Sequence, residues 1–115
     1  MTDQQTATYE RFESAALITQ QMIKRDAYLE FLRRETMSAG MYVLYAGAGD
    51  AQQPHAEDEL YYVIEGHAVL EVDGAQRPVG PGSLAFVAAG VIHQFHSIVS
   101  KLTVLVVFAP PESGP

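Results

Sequence analysis

His55 and Glu59 lie four residues apart, at the entrance to an apolar run, Leu60 to Ile64, that reads as a strand. Side chains alternate between the faces of a strand, so residues an even number apart share one. If the chain is already extended on entry, Gln53, His55, Glu59 and Tyr61 all point the same way. An imidazole and a carboxylate on one face are half of a metal-binding set, and the other half must come from elsewhere in the chain. Glu57 shares the parity of His55 and Glu59, and a bulge at the strand entrance would exchange it with Glu59 as the ligand. Otherwise Glu57 and Asp58 read as rim charges.

Two spaced patterns surround these residues. Gly47, Gln53, His55, Glu59 and Gly66 follow a pattern of Gly, five residues, His-X-His, three residues, Glu, six residues, Gly, with Gln53 at the first His. Gly82, Ala88, Gly90, His93 and Ser97 follow a pattern of Gly, five residues, Pro-X-Gly, two residues, His, three residues, Asn. In this second pattern Ala88 stands for Pro and Ser97 for Asn. With both motifs in register, the chain resembles the cupin superfamily over residues 38–109. The resemblance implies an all-β fold, a double-stranded antiparallel β-barrel of the cupin or jelly-roll kind. It also implies that Gln53, His55, Glu59 and His93 surround one divalent metal of the Fe, Mn, Ni, Zn or Cu group. Two imidazoles and a carboxylate leave positions open on such an ion. Gln53 offers a weaker amide oxygen where a third imidazole is usual.

Cupin chemistry is diverse, and a fold alone names no reaction. Two functional classes stay open: a small-molecule enzyme with dioxygenase-like or isomerase/lyase-like chemistry at the metal, and a non-catalytic module that binds a small metabolite, with or without a structural metal. Tyr61, Phe86 and Phe95 are the candidate pocket residues above the metal. Aromatics on the inner faces of a barrel are nevertheless core more often than substrate contacts. His67 follows a turn glycine and reads as solvent-facing. His96 is an odd number from His93 and so points out of the barrel.

The elements that must position these residues are short strands separated by Gly/Pro turns. A short N-terminal helix is expected from Ser14, as N-cap, to about Lys24, with Ala15, Ala16, Ile18, Thr19, Met22 and Ile23 as its apolar stripe. Residues 27–34 read as a strand leading into Met41 to Tyr45. Ala68 to Val72, Leu84 to Val87, Ile92 to Ser97 and Leu102 to Phe108 read as further strands. Asp73-Gly74 is a hairpin turn; residues 77–82, with two prolines and two glycines, read as a tight loop, and Pro110-Pro111 as the end of the ordered chain. The strands at 60–64 and 102–107 are apolar on both faces, so something covers the outer face too. The N-terminal segment, the flank of the second sheet or another subunit would do so, and the resemblance implies a homodimer packed through its sheets.

The 115 residues suit one domain over residues 1–115, with the helix and first strand at about 14–34 ahead of the barrel core. Without cysteine there is no disulfide framework and no thiolate chemistry. Fourteen acidic against seven basic residues, with no Lys/Arg cluster, argue against nucleic acid and anionic membranes as partners. No apolar run approaches the ~18 residues of a membrane span, and the N-terminus lacks the pattern of a signal peptide. A cytoplasmic location and a small-molecule ligand are the expectation.

Overall fold

The Asp73-Gly74 pair folds as its chemistry requires, with φ of 50° and 85°, the two left-handed residues of a tight hairpin turn. It joins two of the eight strands found among the described residues. The computed structural model describes residues 8–24, 27–48, 50 and 54–113. In chain order the elements are α1 (Ser14–Lys24), β1 (Tyr28–Arg33), β2 (Ser38–Leu44), β3 (Asp58–Glu65), β4 (Ala68–Val72), β5 (Ala75–Val79), β6 (Leu84–Val87), β7 (His93–His96) and β8 (Leu102–Ala109). They build two antiparallel sheets, one ordered β1-β2-β8-β3-β6 and one β5-β4-β7. No helix of the described residues is long and apolar enough to cross a membrane.

The core lies between the sheets. Alternate residues of β3 and β8 enter it: Tyr61 and Val63 beside Leu102, Val104, Val106 and Phe108, all at most 3% exposed. Leu70, Phe95 and Ile98 close it from the other side. Gly66 shows why the first motif ends in glycine. Its φ is 93°, and a Cβ there would sit 2.8 Å from Leu102 Cα at the start of β8.

Three expectations are corrected. Residues 77–82 are not wholly a loop, because β5 runs through Pro78. β5 is the edge of its sheet, where a residue without an N–H is tolerated. The turn is confined to Gly80–Ser83, closed by a bond from Ser83 N to the Gly80 carbonyl at 2.9 Å. Second, Glu13 rather than Ser14 holds the cap position of α1, since its carbonyl accepts from Ala16 N and Leu17 N at 3.1 and 3.2 Å. The helix also buries a different face from the expected one: Leu17 and Gln21 are buried and Ile18 half-buried, while Ala15, Ala16, Thr19, Met22 and Ile23 stay exposed. Third, the chain does not end its ordered course at Pro111; Glu112 and Ser113 fold back over one end of the barrel.

Helix α1 packs on β1 and β2 and covers part of the outer face of the larger sheet. Beneath it Ala39, Met41 and Val43 are at most 3% exposed. The pairing register continues this face through Leu105 and Val107 to Leu60 and Tyr62 on β3 and to Leu84 and Phe86 on β6. These last four are 41–68% exposed.

Candidate metal centre

Strand parity delivers the first candidate ligand. Glu59 stands on β3 opposite Val87 of β6 and Phe108 of β8, in phase with Tyr61, and its side chain is 1% exposed. Tyr61 Oη donates to Glu59 Oε1 at 2.8 Å, which leaves Oε2 to face the interior. The second comes from the smaller sheet. His93 opens β7 on its inner face and places Nε2 3.0 Å from Glu59 Oε2. His93 Nδ1 lies 2.8 Å from the Val91 carbonyl. A carbonyl only accepts, so Nδ1 carries the proton of the neutral ring and Nε2 its lone pair.

The third comes from the loop before β3. The His55 carbonyl accepts from Gly90 N at 2.7 Å, and Asp58 Oδ1 accepts from Ala89 N at 2.9 Å. These bonds tie the first motif to the second, and Gly90 serves the turn at a φ of 79°. The His55 ring stands 5.8 Å from that of His93 and edge-on to Phe108 at 5.1 Å. Ligand atoms of His55, Glu59 and His93 all lie within 4.8 Å of one another.

Buried His93 Nε2 is not aligned for a hydrogen bond to any described group, Glu59 included. A lone pair left without a proton donor beside a carboxylate oxygen suits a cation between them. Burial pulls the His93 pKa down, but the Glu59 carboxylate 3.0 Å away and the Val91 carbonyl outweigh it and raise the pKa above its usual value.

The other sequence candidates fall in different places. Gln53 lies outside the described residues. Glu57 is 3% exposed rather than a rim charge, and its Oε2 accepts from Ser113 Oγ at 2.6 Å. Tyr61 and Phe95 do face the interior, each 1% exposed and packed edge-to-face at 5.1 Å. Phe86 does not: it pairs with Leu60 on the outer face and is 63% exposed, because pocket-facing positions on β6 are those in phase with Val87. His67 is exposed, and His96 faces outward with Nε2 3.2 Å from Glu71.

Four residues near the centre carried no weight in the sequence reading. Asp50 accepts from Tyr42 Oη at 2.8 Å and from Phe95 N at 2.7 Å, and so fastens the two sheets together. Burial, and then Asp50, drive the Tyr42 pKa up. The Tyr28 hydroxyl is buried without a partner among the described residues, and burial, then Glu112, raises its pKa as well. Its ring fills the space that a Cβ at Gly40 would occupy. A glycine inside an apolar strand was the available signal for such an approach. Glu112 was hidden behind Pro110-Pro111.

Comparison with known proteins agrees with this architecture. The Cupin domain family model matches residues 35–109, and the chain belongs to that family. The uncharacterized protein SCO3923 of Streptomyces coelicolor is 53% identical over 87 residues, 76% of this chain and 83% of that one. The crystal structure of TT1209 from Thermus thermophilus is similar at 31% identity and a TM-score of 0.67, over 74% of this chain and 83% of that one. An RmlC-like cupin from Shewanella frigidimarina shares the fold at 22% identity and a TM-score of 0.66, over 72% of this chain and 74% of the other.

Proposed function

We propose that this cupin, a single domain over residues 1–115, holds one divalent metal through His55, Glu59 and His93 and uses it as an enzyme on a small-molecule substrate. The observation that carries the reading is the convergence of these three side chains, with His93 Nε2 buried and lacking an aligned donor. A metal bound there would supply Lewis-acid polarisation or dioxygen activation at its open positions. The chain's own part is to fix the ligands. Tyr61 orients Glu59, the Val91 carbonyl sets the His93 tautomer, and the apolar walls of Tyr61, Phe95 and Phe108 limit water. Gln53 is an additional oxygen donor in this reading; Gln53→His would tighten Zn, Ni or Co, since imidazole suits these ions better than an amide.

Elemental analysis of protein purified without a tag or chelator tests the proposal directly. One equivalent of a transition metal in wild type, lost in His93→Ala with the fold kept, is the expected result. Full retention of metal in His93→Ala overturns the ligand set. The exposed apolar half of the outer sheet face supports a homodimer as the assembled form. The composition supports a cytoplasmic location.

A further inference from the structure

The two histidines of the centre differ in what faces their second nitrogen. His93 Nδ1 has the Val91 carbonyl of its own strand entrance. Facing His55 Nδ1 at 3.6 Å is Oε2 of Glu112, from the far end of the chain. Nothing about the barrel strands requires that tail to be there, yet it is held at several points. Arg33 Nη1 and Nη2 donate to the Glu112 carbonyl at 3.1 and 2.5 Å, Glu112 N donates to Ser38 Oγ at 3.0 Å, and Ser113 Oγ donates to Glu57 at 2.6 Å. A register shift between Glu30 and Leu32 brings Arg33 opposite Ser38, so both residues meet the tail at the same end of the sheet. These contacts hold the backbone and the neighbouring residue, and leave the Glu112 carboxylate aimed at the imidazole, 23% exposed.

We propose that Glu112 is the positioning residue for His55: its carboxylate, which faces Nδ1 at 3.6 Å, beyond hydrogen-bond length in this structure, closes on the ring to accept the Nδ1 proton and so turns the Nε2 lone pair toward Glu59 and His93. This rests on the metal-site reading above and adds to it a component from outside both sequence motifs. A ligating histidine commonly gives its other N–H to a carboxylate or carbonyl, which fixes the ring and makes it a better donor. His93 already follows that rule through Val91. With Glu112, both rings would be set the same way, and the C-terminal segment becomes part of the centre rather than an appendage.

Two-bond nitrogen–proton NMR of the imidazole rings, on full-length metal-free protein, reads the His55 tautomer. Zn(II) competition against a chelator at fixed neutral pH reads affinity. Wild type should show His55 as the Nδ1–H tautomer. Glu112→Ala should shift it toward a mixture and weaken Zn(II) by about 10-fold or more. Glu112→Gln, whose amide oxygen still accepts, should recover part of the loss. Equal Zn(II) affinity and an unchanged tautomer in Glu112→Ala would show that the tail is only a structural strap and overturn the proposal. Should Glu112→Ala not fold, an Nε2–H tautomer in wild type overturns it alone. Absence of Zn(II) binding by wild type would instead overturn the metal reading on which it stands.

Discussion

Consecutive residues of β3 live in opposite surroundings. Glu59 and Tyr61 point into the barrel, at most 2% exposed and bonded to each other. Leu60 and Tyr62 point out, 44% and 41% exposed. Across the same outer face, Met41 on β2 is 1% exposed because α1 lies over that half. One strand therefore keeps its polar inward side chains where water is excluded and its bare apolar side chains where water is present. In the homodimer proposed above, this outer half is where the second copy would pack.

The contrast between the faces is sharpest at adjacent positions. Glu59→Gln should abolish tight metal binding, a loss beyond the ~100-fold that an outer partner costs, while Leu60→Gln should leave the metal content as in wild type. Metal analysis of the two purified variants checks this, and equal losses would erase the division of labour. Next comes the contrast within the outer face. Met41→Ala under the helix should cost about 2–5 kcal/mol of stability, against no more than ~0.5 kcal/mol for Leu84→Ala. Denaturant unfolding at low protein concentration measures both.

Smaller effects follow. Phe86→Glu should weaken self-association by about 10-fold or more, the cost of ~1.4 kcal/mol, with no change in metal content. Sedimentation of wild type and variant over a range of concentrations would show it. A monomeric wild type would mean that the open half of the sheet serves something other than a second copy.

The smallest is a pH effect in metal-stripped protein. The His93 pKa is raised above its ordinary 6.5, chiefly by Glu59 working against burial. The pair therefore stabilises the fold fully below the unfolded value and loses that contribution as pH rises through the higher folded value. Bound metal should reverse the trend, because it competes with the proton for Nε2. Thermal unfolding against pH, with and without Zn(II), separates the two slopes. A metal-free slope of the opposite sign would count against the His93–Glu59 contact.

The interior half of this arrangement was legible in the sequence. Parity along Glu59-Leu-Tyr, with the family resemblance that two spaced motifs carry, places His55, Glu59 and His93 at one site, and Asp73-Gly74 names its own turn. The misread parts depend on tertiary context. Pro78 sits in a strand because that strand is an edge, which no local pattern reveals. Phe86 reads as inward from sequence because an apolar run of four, Leu84 to Val87, carries no alternation to tell its faces apart. Asp50 and Glu112 act through partners 45 and 79 residues away in the chain, and such pairings leave no periodic trace.

The Tyr28 ring and Gly40 occupy one another's space across neighbouring strands. That makes the order of evolutionary change matter. A methyl group arriving at Gly40 first would collide with the ring, so that path begins with a damaged protein. Shortening Tyr28 first opens room inside the barrel, and Gly40 can then accept a side chain. The two substitutions should be strongly non-additive, and lineages that enlarge or reshape this interior are expected to pass through position 28 before position 40.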